Sequence, residues 1–461
     1  MLVEQYSCAA GCKMGIKSTG IAVACLVGVF GSGAASAETD AFTHDLRVLR
    51  DEYVLKSGAL GVAQRKQALS QIAELEAGPE LGKLDLFLAV SRITAIADNA
   101  HDSAMRGKNA WQPQARLPIR FIWFPDDLLI ARAPATHADI LGSQVLSIDG
   151  HSPTALMAKL RALQGGTDEY RRWQLGWALA SPEVLHALGV SQSTASVTLK
   201  LKDRRGKISS RTIAAVPSGE LPPGARSGSF WSPTSLPGEV AAGWASASIP
   251  VSPPLYLQEP EKLFRLVEVP GLQALYVQFR SNMDEGEQRI SPFVEELTKR
   301  LDDSPPRNLI LDLRFNTGGD TTKTRELMRH IASRVPGQIY VLVGPYTFSA
   351  GIASAAALKH DGGAKVKIIG SEVGDRMRWW SEGATVCLPS SDICVRRTDG
   401  LWDINRPCSK ETGCYSDRFD LDVPSLKPEM LAPILSGDWL QAKDPGLDAV
   451  RTHLRSTSPI G

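Results

Sequence analysis

LILDLRFNTGGD, residues 309–320, opens as an unbroken apolar run and ends in a paired-glycine turn. A run this short and apolar reads as a strand buried on both faces, the kind found in a parallel sheet. VLVGPYTFSAG, residues 341–351, has the same form, an apolar run, a loop and then Ser349 ahead of the small-residue helix SAGIASAAAL. Outward from these two pieces the chain alternates. Ala274–Phe279, 308–313, Ile339–Val343 and 365–369 read as strands, and 290–301, 321–334 and 349–358 as helices. Such alternation predicts an α/β domain with a mostly parallel sheet covered by helices.

Gly318 and Gly319 let the backbone approach a ligand and turn N–H groups towards an anion. A phosphate loop is a poor fit, because GGDTTKT lacks the required Gly-Lys-Thr order. Ser349 at a helix start has two uses. It is an N-cap, the common role, or an exposed nucleophile whose oxyanion the N–H of Ala350 helps to hold.

Together the motifs resemble the tail-specific, or C-terminal-processing, serine peptidase family, which includes the tricorn-type proteases and the interphotoreceptor retinoid-binding repeats. The matching residues are Asp312-Leu313-Arg314, Asn316-Thr317-Gly318-Gly319 and Thr347-Phe348-Ser349-Ala350, from about residue 263 to the C-terminal DPGLDAV. The resemblance implies a crotonase/Clp-protease-like core, Ser349 as nucleophile, and the N–H groups of Gly318 or Gly319 and Ala350 as oxyanion hole. It departs at the base. Bacterial members commonly supply a lysine about two dozen residues after the serine; here IIGSEVGDRMRWWSEG puts Asp375 in that place, and no lysine lies between Lys367 and Lys410.

His101, in TAIADNAHDSAM, is the substitute base, in a region where relatives of the tricorn and retinoid-binding branch often carry a histidine. Imidazole titrates near neutral pH and suits proton abstraction from a hydroxyl. The orienting acid is expected to be Glu382 or Asp375, with Glu382 preferred; Asp98 and Asp102 flank His101 itself. Either acid could instead form a surface ion pair with Arg376 or Arg378. Trp379 and Trp380 read as buried walls or as the lining of an apolar pocket.

Residues 38–110 carry helical periodicity and predict an N-terminal helical domain. Over 111–217 the texture changes to short strands, and LGSQVLSIDGHSPTALMAKL, a strand, an Asp149-Gly150 turn and a helix, looks like a small PDZ-like β domain that takes a peptide as an edge strand. Residues 218–262 are crowded with Pro, Gly and Ser and read as a linker; 263–461 form the peptidase core.

Lys13 and Lys17 precede an apolar run from Gly20 to Phe30, and Ala35-Ser36-Ala37 follows it. This order predicts a signal peptide, residues 1–37, and a periplasmic or secreted protein. The run is too short to be a stable membrane span. Removing it leaves Cys387, Cys394, Cys408 and Cys414, whose spacing favours two disulfides over zinc. Cys387 with Cys394 and Cys408 with Cys414 is the preferred pairing among three. With 51 basic against 50 acidic residues, nothing favours nucleic acid as a partner. The expected activity is serine-type endopeptidase, without metal or organic cofactor, on unfolded or C-terminally exposed polypeptide. The alternative is a non-catalytic ligand- or peptide-binding protein on the same fold; the oligomeric state is left open.

Overall fold

The computed structural model describes residues 33–223, 231–233, 235–250, 252–408, 414 and 421–457. Most of the expected signal segment, residues 1–32, lies outside them, and the first helix, Gly33–Val48, runs across the expected cut after Ala37. Among the described residues no helix is long and apolar enough to cross a membrane.

A six-stranded sheet carries the two motifs. Its strands lie in the order Phe264–Val269, Ala274–Phe279, Asn308–Asp312, Ile339–Val343, Val366–Gly370 and Met430–Leu431. The first pair is antiparallel and every later pair is parallel. Alternation along each strand serves two covered faces. Leu275, Val277, Leu309, Leu311, Val341 and Ile368 face the helices Ile290–Asp303, Arg325–Arg334 and Ala350–Gly362, while Tyr276, Ile310, Tyr340, Leu342 and Ile369 face Leu447 and Val450 of the helix Pro445–Thr457. Two-sided burial is why these strands read as continuous apolar runs. The helix Ala350–Gly362 is buried from Ala350 through Leu358, and its small side chains permit that close approach.

An antiparallel sheet precedes it, built from Arg120–Trp123, Leu128–Pro134, Gln144–Ile148, Ser196–Lys202 and Ile208–Ala214. Val197, Leu199 and Leu201 point inward while their neighbours are exposed, the pattern of a sheet wet on one side. One core unites this sheet with the N-terminal helices Val62–Ala77 and Lys83–Ala95, and it also takes in Leu388, Ile393 and Val395. Between the two large sheets Phe124, Trp231, Phe315, Tyr346 and Trp439 pack together.

The stretch read as a linker holds more structure than its composition announces. Trp244–Ser246 pairs with Leu128–Pro134 as a sixth strand, and Trp231, Tyr256 and Leu257 are buried. Apolar side chains scattered among Pro and Gly lack any period, yet Trp231, Trp244, Tyr256 and Leu257 reach the core while Val240 and Ile249 stay exposed. Residues 224–230, 234 and 251 lie outside the described residues. A third sheet joins distant parts of the chain: Ala104–Arg106 pairs with Ile393–Arg397, which also pairs with Ala384–Cys387. Both preferred disulfides are present, Cys387–Cys394 across that hairpin and Cys408–Cys414 beyond it.

Candidate active site

The strand Ile339–Val343 leads into a loop fixed by Thr347, whose hydroxyl donates to the Leu313 carbonyl at 2.8 Å and accepts from the Gly344 N–H at 3.0 Å. The Phe348 N–H donates to the Asn316 carbonyl at 2.9 Å, which binds this loop to the glycine turn. Ser349 then sits at φ 53°, ψ −121°, a strained backbone for a residue with a Cβ. Its hydroxyl makes no capping hydrogen bond to the helix Ala350–Gly362 that it precedes. The N-cap role is therefore not the one it plays. Half-buried at a helix N-terminus, the oxygen has the setting that stabilises developing negative charge.

Gly318 has φ +102°, and a methyl group on it would lie 2.8 Å from the Ser349 Cβ and 3.2 Å from the Ala350 nitrogen. Only glycine fits between the two motifs. The Gly318 N–H donates to Asn316 Oδ1 at 2.9 Å and is engaged. Gly319 forms a parallel bridge with Asn282 in which its neighbours, not itself, supply the bonds: the Asn282 N–H donates to the Gly318 carbonyl and the Asp320 N–H to the Asn282 carbonyl. Among the described residues neither the Gly319 nor the Ala350 N–H has an acceptor. Asn316 Nδ2, buried in the same loop, is likewise without one.

Behind the turn, Arg314 is buried and hydrogen-bonded on two sides. Its Nε and Nη2 donate to Asp312 at 3.0 and 2.6 Å, and its Nη1 and Nη2 donate to Asp444 at 2.7 and 3.0 Å. The Asp-Leu-Arg motif and the DPGLDAV segment are thus two halves of one ionic contact. Its carboxylates hold the guanidinium firmly protonated against the cost of burial.

His101 lies on Phe348, the residue before the serine, with ring centroids 4.5 Å apart and planes at 26°. Trp379 lies nearly parallel to the His101 ring, with centroids 6.3 Å apart and planes at 11°. Neither ring nitrogen makes a hydrogen bond among the described residues. Burial, with Arg396 a lesser cause, pulls the imidazole from its ordinary 6.5 down to about 3, so it is neutral. Its Nδ1 faces Asp375 Oδ2 at 3.8 Å. That oxygen is also unbonded, and burial pushes the Asp375 carboxyl up to about 7 despite the Arg376 N–H and charge that oppose the shift.

Of the four acids considered, Asp375 is the one within ion-pair distance of His101. Glu382, the preferred choice from sequence, sits at φ 55° in the turn before Ala384–Cys387 and makes no hydrogen bond or ion pair among the described residues. Arg376 and Arg378, offered as partners for Asp375 and Glu382, pair instead with Asp98 and Asp403. Asp102 points away from the site into a buried cluster, accepting from Asn99 Nδ2 and the Thr398 hydroxyl, each at 2.6 Å; burial raises its carboxyl to about 6. Trp379 is a buried wall of the histidine site, and Trp380 is half-buried. Sequence reasoning missed Tyr170, which also stacks on Phe348 at 4.6 Å, and Asn316. A tyrosine in a short helix gave no signal; the asparagine stood within a quoted motif.

No protein-family model and no curated relative matches the chain. Solved structures do. CPAF complexed with lactacystin matches at 11% identity over 91% of this chain and 98% of that one, with a TM-score of 0.53. Mature CPAF matches at 12% identity, over 92% and 99%, with a TM-score of 0.54. The photosystem II D1 C-terminal processing protease matches at 12% identity, over 91% and 98%, with a TM-score of 0.38. Over nearly its whole length, then, this chain is similar in fold to CPAF.

Proposed function

We propose that the protein is a secreted or periplasmic serine peptidase acting on unfolded or C-terminally exposed polypeptide. Ser349 is the nucleophile, His101 its general base and Asp375 the acid that orients the histidine. The N–H groups of Gly319 and Ala350 hold the oxyanion. The observation that carries this reading is the fit of Gly318 against a strained, uncapped Ser349 whose neighbouring N–H groups are unused. It accounts for both sequence motifs at once.

In this mechanism a substrate carbonyl enters between the glycine turn and the helix start. His101 takes the hydroxyl proton as Ser349 attacks, and the imidazolium formed is stabilised by ionised Asp375. As it stands the imidazole is neutral but weakly basic. Ionisation of Asp375 supplies the charge that raises its basicity, and closing the 3.8 Å gap by about 1 Å would make the pair a hydrogen bond. As the tetrahedral intermediate collapses, the imidazolium gives its proton to the departing amine. His101 then takes a proton from the water that attacks the acyl-enzyme and returns it to the Ser349 oxygen, releasing the carboxylic acid. We further read residues 1–37 as a signal peptide and 111–217 as a PDZ-like module that presents the substrate end.

The test is degradation of unfolded casein by the purified chain beside its Ser349→Ala and His101→Ala variants. Cleavage lost in both supports the scheme. Loss in Ser349→Ala alone keeps the nucleophile and removes His101 as base. No cleavage by any folded form points to a peptide- or ligand-binding protein on this fold.

A further inference from the structure

The two residues that would act on the serine come from loops far apart in sequence, and both loops rest on one short segment, Gln164-Gly165-Gly166-Thr167. Gln164 is buried, and its Nε2 donates to the carbonyls of Ala100 and Asp102, each at 3.2 Å. Those carbonyls stand immediately before and after His101. Gly165 presses on the same loop: a methyl group there would meet the Asn99 nitrogen at 2.6 Å and its oxygen at 2.7 Å. Gly166, at φ +95°, would meet the Ala100 Cβ at 2.7 Å, and its N–H donates to Asp98 Oδ1 at 3.3 Å. No residue with a side chain fits at either place without moving the histidine loop.

One residue on, the Thr167 hydroxyl donates to the Gly374 carbonyl at 2.8 Å, and Gly374 is bonded to Asp375. The same oxygen accepts the Tyr170 N–H at 3.3 Å and caps the helix Asp168–Gln174, which places Tyr170 on Phe348 beside the serine. All three parts of the site therefore register against four consecutive residues. Arg376 adds a second tie between the loops, donating to the Asp98 carbonyl and to Asp98 Oδ2, each at 2.7 Å.

Direct bonds do not set the His101 ring in place, since both its nitrogens are unbonded. Its backbone is gripped and its ring stacks on Phe348 and Trp379. We infer that Gln164–Thr167 is a positioning element that sets the spacing between His101 and Asp375, through Gln164 on one loop and Thr167 on the other. The inference rests on the reading of His101 as base and Asp375 as its acid. Proton transfer falls steeply when a partner is displaced, with about 1 Å able to cost on the order of a hundredfold. A spacing held at 3.8 Å by main-chain contacts is one that small changes in those contacts alter.

The experiment uses the full chain with Thr167→Val, which keeps the shape and loses the hydroxyl, Thr167→Ser, which restores it, and Gln164→Met. Steady-state kinetics on a quenched peptide taken from a casein cut site are read across pH 5–9, beside circular dichroism and thermal unfolding. Thr167→Val and Gln164→Met are each expected to lower kcat about tenfold or more, with KM within about twofold, and to move the midpoint of the pH–rate curve. Thr167→Ser is expected to return kcat to within about threefold of the parent. Wild-type kcat in both folded variants overturns the inference. So does a loss with an unmoved pH curve that merely tracks lowered thermal stability. If one variant does not fold, the other is judged by the same criteria. His101→Gln as active as the parent is a separate result: it removes the base itself, whatever Thr167→Val does.

Discussion

Gly318 and Ser349 meet so closely that the glycine's missing side chain is part of the serine's site: a Cβ on one would lie 2.8 Å from the Cβ of the other. Gly318→Ala must therefore shift the serine or the turn, and it also places a methyl-bearing residue at φ +102°. The expected cost is about 1–3 kcal/mol of stability from the backbone alone. Under the proposed mechanism peptidase activity should fall at least about a hundredfold, because the Ser349 oxygen would move relative to the Gly319 and Ala350 N–H groups. Chemical unfolding and kcat/KM on one preparation check both.

The buried pair predicts opposite pH behaviour in two variants. His101 has a folded value of about 3 against 6.5 in a free chain, so the unfolded state binds the extra proton between those limits and acid favours unfolding. Asp375 has a folded value of about 7 against 3.8, so the folded state holds the extra proton and rising pH favours unfolding over that range. Between about 4 and 6.5 the two slopes oppose each other. Relative to wild type, Asp375→Asn should lose stability as pH falls from 6.5 towards 4, and His101→Gln should gain it as pH falls from 7 to 4. Each slope is at most about 1.4 kcal/mol per pH unit. Urea titrations at half-unit pH intervals measure them.

Activity should rise with pH through a midpoint near 7, where Asp375 ionises and can support an imidazolium. Asp375→Asn should remove that limb and leave a low, flat rate, while Glu382→Gln leaves the limb in place. A pH–rate curve for Glu382→Gln that loses the limb would return the acid's role to Glu382.

The Asp312–Arg314–Asp444 contact links the sheet to the C-terminal helix, and Asp444→Ala would leave a buried guanidinium half paired. The expected cost is about 3–5 kcal/mol. The variant's urea midpoint measures it. The tie gives the DPGLDAV segment, quoted only as the far end of a resemblance, a physical task.

The parallel strands were legible because burial on both faces writes an uninterrupted apolar run, and Ser349 because a helix start, a small-residue helix and a distant glycine turn each left a mark. His101 came from exclusion. The acid beside it was named but ranked second, after Glu382, and only the fold brings Asp375 to His101. Burial of Asp375 beside His101, and the lack of any partner for Glu382 among the described residues, are long-range facts. Trp244–Ser246 and Ala104–Arg106 were missed for a different reason: three residues carry too little pattern to show a period of two. Gln164–Thr167 drew no notice, because its hydrogen bonds run to main-chain carbonyls, which no side-chain pattern marks.

Cys387 and Cys394 face each other as a register pair across the hairpin that also holds Ala104–Arg106. Replacing both with Ser should lower stability by about 2–3 kcal/mol on the loop-entropy argument. Thermal unfolding with and without reductant is the check, and the double variant should lose much of the wild type's sensitivity to it.

Ala104–Arg106 finds its partner strand only at Ile393–Arg397. A chain emerging from the ribosome in order thus carries the histidine early and the serine much later, yet neither has its final surroundings until almost all of the polypeptide is out. The arrangement around His101 therefore needs nearly the whole chain. An unfinished or prematurely terminated product holds these residues without their arrangement.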